Sequence, residues 1–174
     1  MKHLKLFEEY ISEPIDVYHG SDRNFDTFDL NKIGSGDGKN IGGWGFYFSD
    51  SEEVARRYFL KSGFVKEFRL KSGNYFNLDE YLYENEAQEI LSELKRNDDI
   101  SEDDIEQFQT DFIEYISDIT NKQVYEWLSY TLKSQKNASL FLKDMGYKGN
   151  KFKDKILPEA TNYVIYDINS IIYL

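Results

Sequence analysis

The stretch Gly43-Trp44-Gly45-Phe46-Tyr47-Phe48-Ser49-Asp50, with Val17-Tyr18-His19-Gly20-Ser21 ahead of it, decides how this chain folds. Ile15 to Tyr18 has strand character and runs into Gly20; Phe46 to Phe48 does the same after Gly45. Strand geometry alternates side chains, so Tyr47 points to one face and Phe46 and Phe48 to the other. Asp50 with Glu53 three residues on matches a capping box and predicts a helix through Tyr58 directly after the second strand. Between the two strands, from Phe25 to Gly45, the glycines at 34, 36, 38, 42, 43 and 45 leave too little side-chain area for a regular element, and the segment reads as a loop.

A strand ending in His-Gly-Ser, a glycine-rich loop and a strand entering a helix place polar groups and bare backbone around a concave surface. Glycine lets a ligand approach main-chain groups, and a tyrosine offers a flat face to an aromatic ring such as nicotinamide or adenine. Neither a dinucleotide-fold fingerprint nor a P-loop is present. Gly34-Ser35-Gly36-Asp37-Gly38 is not followed directly by a helix carrying a third glycine, and no P-loop lysine pattern occurs.

Upstream, Leu4, Phe7 and Ile11 share one face of a predicted N-terminal helix that Pro14 ends. Downstream, Phe64, Phe68 and Leu70 share a strand face, with a turn at Gly73-Asn74. From Asp79 to Ser134 the pattern becomes helical: Ile105, Phe108, Phe112, Ile116 and Ile119 follow helical spacing, Ser101 and Asp104 resemble a capping box, and the segment holds about three helices of ordinary length. Asn137 is expected to cap a further short helix ending at Gly146, followed by strands over Tyr147 to Phe152, Asn162 to Tyr166 and, after a turn at Asn169-Ser170, Ile171 to Leu174. Strands flanking a helical block make an α+β chain, expected to form a single domain over residues 1–174 with the helices about 79–134.

A chain of 174 residues, 40% hydrophobic and 17% aromatic, can bury a real core. Its net charge of −11 repels phosphate backbones and disfavours broad nucleic-acid binding. Cysteine is absent and the histidines are only His3 and His19, which excludes thiolate and all-histidine metal sites, and no metal is expected. Asn97-Asp98-Asp99-Ile100-Ser101-Glu102-Asp103-Asp104 lacks the glycine and spaced glutamate of a calcium loop and reads as a solvated helix start. No apolar run approaches the roughly 18 residues of a membrane span, and the apolar start breaks into Glu8-Glu9 too early for a signal peptide; no membrane role and a cytoplasmic location are expected.

In these two motifs the chain resembles the diphtheria-toxin and poly-ADP-ribose-polymerase type of ADP-ribosyltransferase, in the compact form found in phage and bacterial polyvalent proteins. Val17 to Ser21 and Gly43 to Asp50, followed by Ala55 and Tyr58, are similar to the first two NAD-binding motifs. Asn162-Tyr163-Val164-Ile165-Tyr166-Asp167 is similar to the last motif, with Asn162 where a glutamate normally stands. The resemblance covers residues 16–60 and 138–172 and implies a split antiparallel β-sheet with a helical insertion. It implies NAD as substrate: His19 on the adenosine-side ribose, the Gly20 backbone on the nicotinamide carboxamide, Tyr47 lining the nicotinamide pocket, with Ser21, Gly45, Ser49 and Tyr58 beside them and Asn162 at the catalytic position. The activity implied is transfer of ADP-ribose from NAD to a macromolecular acceptor, for which the acidic charge favours protein over nucleic acid. The start of the chain resembles short phage-encoded proteins, which implies the host cytoplasm.

Plainer readings stand beside these. A histidine at a strand end is more often structural than ligand-binding, Tyr47 is core if it faces inward, and Asn162 is by default a strand-edge residue. An amide at 162 bears no charge and cannot act as a base, although Glu159 three residues upstream carries a carboxylate. The rival functions are NAD hydrolysis in the same cleft, NAD or ADP-ribose binding without turnover, and an interaction surface on the helical block.

Overall fold

The structure, a computed structural model, describes residues 13–34, 41–58, 63–97, 100–115 and 118–174. Among these, seven strands form one sheet: β1 Ile15–Ser21, β2 Phe46–Ser49, β3 Phe64–Leu70, β4 Tyr75–Asn77, β5 Gly149–Lys153, β6 Thr161–Ile165 and β7 Ile171–Tyr173, in the order β4-β5-β6-β2-β1-β3-β7. The α+β architecture is the expected one, and the three motif strands β1, β2 and β6 are neighbours. The sheet is mixed where an antiparallel one was expected, because β4 runs parallel to β5. Parallel neighbours need a long crossover, and the helices supply it: the chain leaves the sheet at β4, traverses them and returns at β5.

The sheet is unevenly knit at its centre. β1 pairs with β3 over its whole length, from Ile15↔Leu70 to Ser21↔Phe64, but meets β2 only at Tyr18↔Ser49. Beyond that pair the two strands share no further ladder pair among the described residues, and this is the split in the sheet.

Five α-helices lie among the described residues: α1 Glu52–Arg56, α2 Glu84–Leu94, α3 Glu102–Tyr115, α4 Asn121–Thr131 and α5 Gln135–Asp144. Three of them fill the segment read as helical. Their caps partly differ from expectation. Ser51, not Asp50, caps α1, its Oγ accepting from the Val54 amide at 3.4 Å; the Asp50 carboxylate instead accepts from the Thr161 amide at 2.8 Å and ties α1's entry to β6. α1 stops at Arg56, and Tyr58 lies in the turn after it. Ser134 rather than Asn137 caps α5, while the Asn137 side chain donates to the Leu132 carbonyl. Serine holds both positions because its short hydroxyl reaches the orphan amide three residues on. Ser101 caps α3 as expected, and Gly146, at a φ of 98° that glycine tolerates, ends α5. The expected helix over Leu4 to Ile11 lies outside the described residues.

Two apolar cores sit on the sheet. In one, Phe76 and Tyr166 from the sheet side pack with Ile90, Leu94, Ile119, Leu128 and Leu142 from the helical crossover. In the other, Val17, Phe46, Phe48, Phe68, Leu70, Tyr163 and Ile165 are covered by Phe25, Phe28 and Ile33 of the glycine-rich connection. Since the crossover helices share side-chain contacts with the sheet, sheet and helices should unfold together. Leu128, with no exposed surface, tests this: Leu128→Ala should lower stability by about 2–5 kcal/mol with a single transition in denaturant. Two separate transitions would show that the helices fold independently.

Candidate functional site

The residues around the split have well-defined tasks. His19 follows the last residue of β1 that pairs with β2, and its Nδ1 lies 2.7 Å from the Tyr47 carbonyl oxygen. A carbonyl only accepts, so Nδ1 carries the proton. Phe25 and Phe28 stand edge-on to the imidazole, with ring centres 5.4 and 5.0 Å away, and Phe48 lies at 5.6 Å. Burial among these rings pushes the His19 pKa below its ordinary value, against the smaller opposing pull of the Tyr47 carbonyl. A neutral imidazole protonated at Nδ1 leaves Nε2 as an acceptor. Gly20, the next residue, faces α1 so closely that an added Cβ would sit 1.9 Å from the Ala55 carbonyl oxygen. Only glycine lets β1 and α1 approach like this. Ser21 is half-buried, and its Oγ accepts from the Arg23 amide.

Tyr47 takes the face of β2 opposite to Phe46 and Phe48, which settles its alternation: the two phenylalanines are core, and Tyr47 is half-buried outside that core. Its hydroxyl donates to the Gly43 carbonyl at 2.7 Å and accepts from the Gly42 amide at 3.1 Å, so the ring is held by the loop that precedes it. Burial, first of all, raises its pKa, and the phenol stays protonated. The loop is clamped in turn by the crossover helices. Tyr125 Oη of α4 accepts from the Trp44 amide at 3.1 Å, Ser139 Oγ of α5 donates to the Trp44 carbonyl at 2.8 Å, and Asn150 Nδ2 of β5 donates to the Gly42 carbonyl at 2.7 Å. Gly43 sits at φ 108°, where a Cβ would meet the Tyr125 hydroxyl at 2.5 Å. Tyr166 donates from its fully buried hydroxyl to Asn150 and completes the clamp.

Across β2 from this loop, β6 brings Asn162 opposite Ser49 and Val164 opposite Tyr47. Tyr47 and Asn162 are therefore diagonal neighbours on one face, at a typical separation of about 7–8 Å. Ser49 is buried and occupied, donating to the Thr161 carbonyl and accepting from the Ser51 amide, and Gly45 is buried where the loop enters β2. Asn162 is 1% exposed; its Nδ2 donates to Asp154 Oδ2 at 3.2 Å, while its Oδ1 is buried with no hydrogen-bond partner. Asp154 Oδ1 accepts from the Ile156 and Leu157 amides and from Arg57 at 3.0 Å. Burial raises the Asp154 pKa, but these hydrogen bonds and Arg57 outweigh it and leave the carboxyl below its ordinary value and ionised. Tyr58 reaches the same group: burial first, then the Asp154 charge, raises its pKa.

Glu159, the carboxylate the sequence suggested near Asn162, is exposed, and its main-chain carbonyl accepts from Lys153. Asp154 is the carboxylate at Asn162 instead. Its local signal is an aspartate bonding its own backbone two and three residues on, as in an Asx turn, which reads only as a loop. What joins it to Asn162 is the β5–β6 hairpin, where Phe152 pairs with Asn162 and the Asp154 amide bonds the Ala160 carbonyl. Tyr125 and Ser139 carried no sequence signal at all, because their partner loop lies about 80 to 95 residues away in the chain.

A comparison with protein families decides what such a site belongs to. The model of the family described as ADP-ribosyltransferase in polyvalent proteins matches residues 12–171. The chain belongs to that family. The match runs from ahead of β1 into β7 and through the crossover helices, beyond the segments that carry the motifs. No curated protein and no solved structure matches the chain. In this member of the family, β1, β2 and β6 bring His19, Tyr47 and Asn162 to adjacent strands.

The half-buried, neutral His19 makes stability depend on pH. Its folded-state pKa lies below the unfolded value of 6.5, so the unfolded chain binds the proton first and stability falls as pH drops below about 6.5. His19→Gln should flatten that fall, measured as denaturant midpoints between about pH 7.5 and about pH 5.5. An equal slope in the variant would mean that His19 titrates as it does in the unfolded chain.

Proposed function

We propose that this chain transfers ADP-ribose from NAD to a macromolecular acceptor, using the split between β1 and β2 as its NAD cleft. The observation that carries the reading is that β1 and β2 separate after a single residue pair, with His19 bridging the gap and the unpaired acceptor of Asn162 on the next strand. A buried acceptor without a donor costs about 1–3 kcal/mol, which a ligand hydroxyl or amide would relieve. NAD supplies a glycosidic bond whose nicotinamide is a good leaving group, with positive charge growing on the ribose carbon as it departs. The residues fit that need. His19 Nε2 accepts from a ribose hydroxyl, Tyr47 offers its ring face with its hydroxyl already occupied, and the Gly20 backbone lies where only a small residue is tolerated. Asn162 Oδ1 accepts a hydroxyl from the ribose that loses nicotinamide. The net charge of −11 favours a protein acceptor over nucleic acid.

Asn162 also motivates a second reading, binding of NAD without turnover, since an amide contributes less negative charge than a glutamate. Incubation with adenylate-labelled NAD and a cell lysate separates the two. Transfer predicts nicotinamide release together with labelled protein, and both should fall about 100-fold or more in Tyr47→Ala while circular dichroism stays native. Nicotinamide release without labelled macromolecule would make this an NAD glycohydrolase; binding by calorimetry with no release would make it a binding module.

A further inference from the structure

Asn162 faces a carboxylate that the sequence motif does not contain. Asp154 sits on the β5–β6 hairpin, and its two oxygens divide their work. Oδ1 holds the turn through the Ile156 and Leu157 amides, at 3.0 and 2.9 Å, and takes Arg57, while Oδ2 receives the Asn162 Nδ2 at 3.2 Å. The contact fixes the amide: reversed, Asn162 would set its oxygen against a carboxylate oxygen. The orientation leaves Oδ1 as the buried atom without a donor. An amide whose N–H is held by an anion is polarised, and its oxygen becomes the stronger acceptor. Arg57, which also pairs with Glu53 at 2.6 Å, braces the carboxylate from the helix that packs on β1.

We infer that Asp154 is a positioning residue that holds and polarises the Asn162 amide, so that the pair does together what a single glutamate does in the motif this chain resembles. The inference rests on the NAD reading above. Asn162 Oδ1 accepts the ribose hydroxyl, and Asp154 contributes the negative charge beside it; no proton leaves either group.

Asp154→Asn is the informative variant, because asparagine keeps an oxygen for the Ile156 and Leu157 amides, removes the charge, and replaces the second acceptor with an NH2 donor that the Asn162 Nδ2 cannot bond. In the NAD-free protein, the Asn162 side-chain amide resonances should lose their hydrogen-bonded shift in Asp154→Asn, with the thermal midpoint showing a folded chain. Turnover for nicotinamide release should fall about 10–100-fold with KM for NAD within about threefold. The double variant Asp154→Asn with Asn162→Glu, which returns the charge at the other position, should recover to within about tenfold of wild type. Wild-type rates in folded Asp154→Asn, or a double variant no faster than the single one, would reduce Asp154 to a turn-holding role and overturn the inference. Absence of release by the wild type would overturn the NAD-transfer reading itself, and this inference with it.

Discussion

The imidazole of His19 bonding the carbonyl of Tyr47 is the contact around which the motif strands are arranged. A peptide carbonyl on a half-buried strand needs a donor, and β1 no longer supplies one from its backbone once it has left β2. The side chain takes over where the ladder stops. Its Nδ1–H makes this bond, and Phe25, Phe28 and Phe48 wall the ring, so the aromatic cover of the glycine-rich connection is part of the same device. Loss of the bond would leave the carbonyl unpaired, at about 1–3 kcal/mol.

From that point the site grows in two directions. On one side Tyr47 is held by Gly42 and Gly43, and that loop by Tyr125, Ser139 and Asn150, so the helical crossover reaches the cleft through polar contacts as well as through its apolar core. The crossover is thereby a support for the site. On the other side Ser49 leads to Asn162, Asn162 to Asp154, and Asp154 to Arg57 on the turn ending α1. Gly20 packs against that same α1, which returns the chain of contacts to β1.

Much of this was legible in the chain. Period-two alternation puts Tyr47 on the face opposite Phe46 and Phe48, though it does not tell which of the two faces is core, and glycine at 20 and 43 marks places where a side chain does not fit. The strands at 15, 46, 64, 161 and 171 and the helical crossover carry their own periodicity. What was not legible depends on pairing between distant segments. The parallel β4–β5 pair follows from the path of the crossover rather than from any residue in β4, and Asp154 meets Asn162 only after the hairpin closes. The caps at Ser51 and Ser134 were not legible because nearby Asp50 and Asn137 are equally good cap formers, and the contact of Asp50 with β6 and the local bond of Asn137 to the Leu132 carbonyl decide between them.

If the gap between β1 and β2 is an NAD cleft, it holds the dinucleotide between His19, Tyr47 and Asn162. The structure of the protein with a non-hydrolysable NAD analogue tests it most directly. The analogue is expected in that gap, with one ribose hydroxyl on His19 Nε2, another on Asn162 Oδ1 and the nicotinamide ring against Tyr47. An analogue bound elsewhere, or His19 and Asn162 unchanged at saturating analogue, would contradict it.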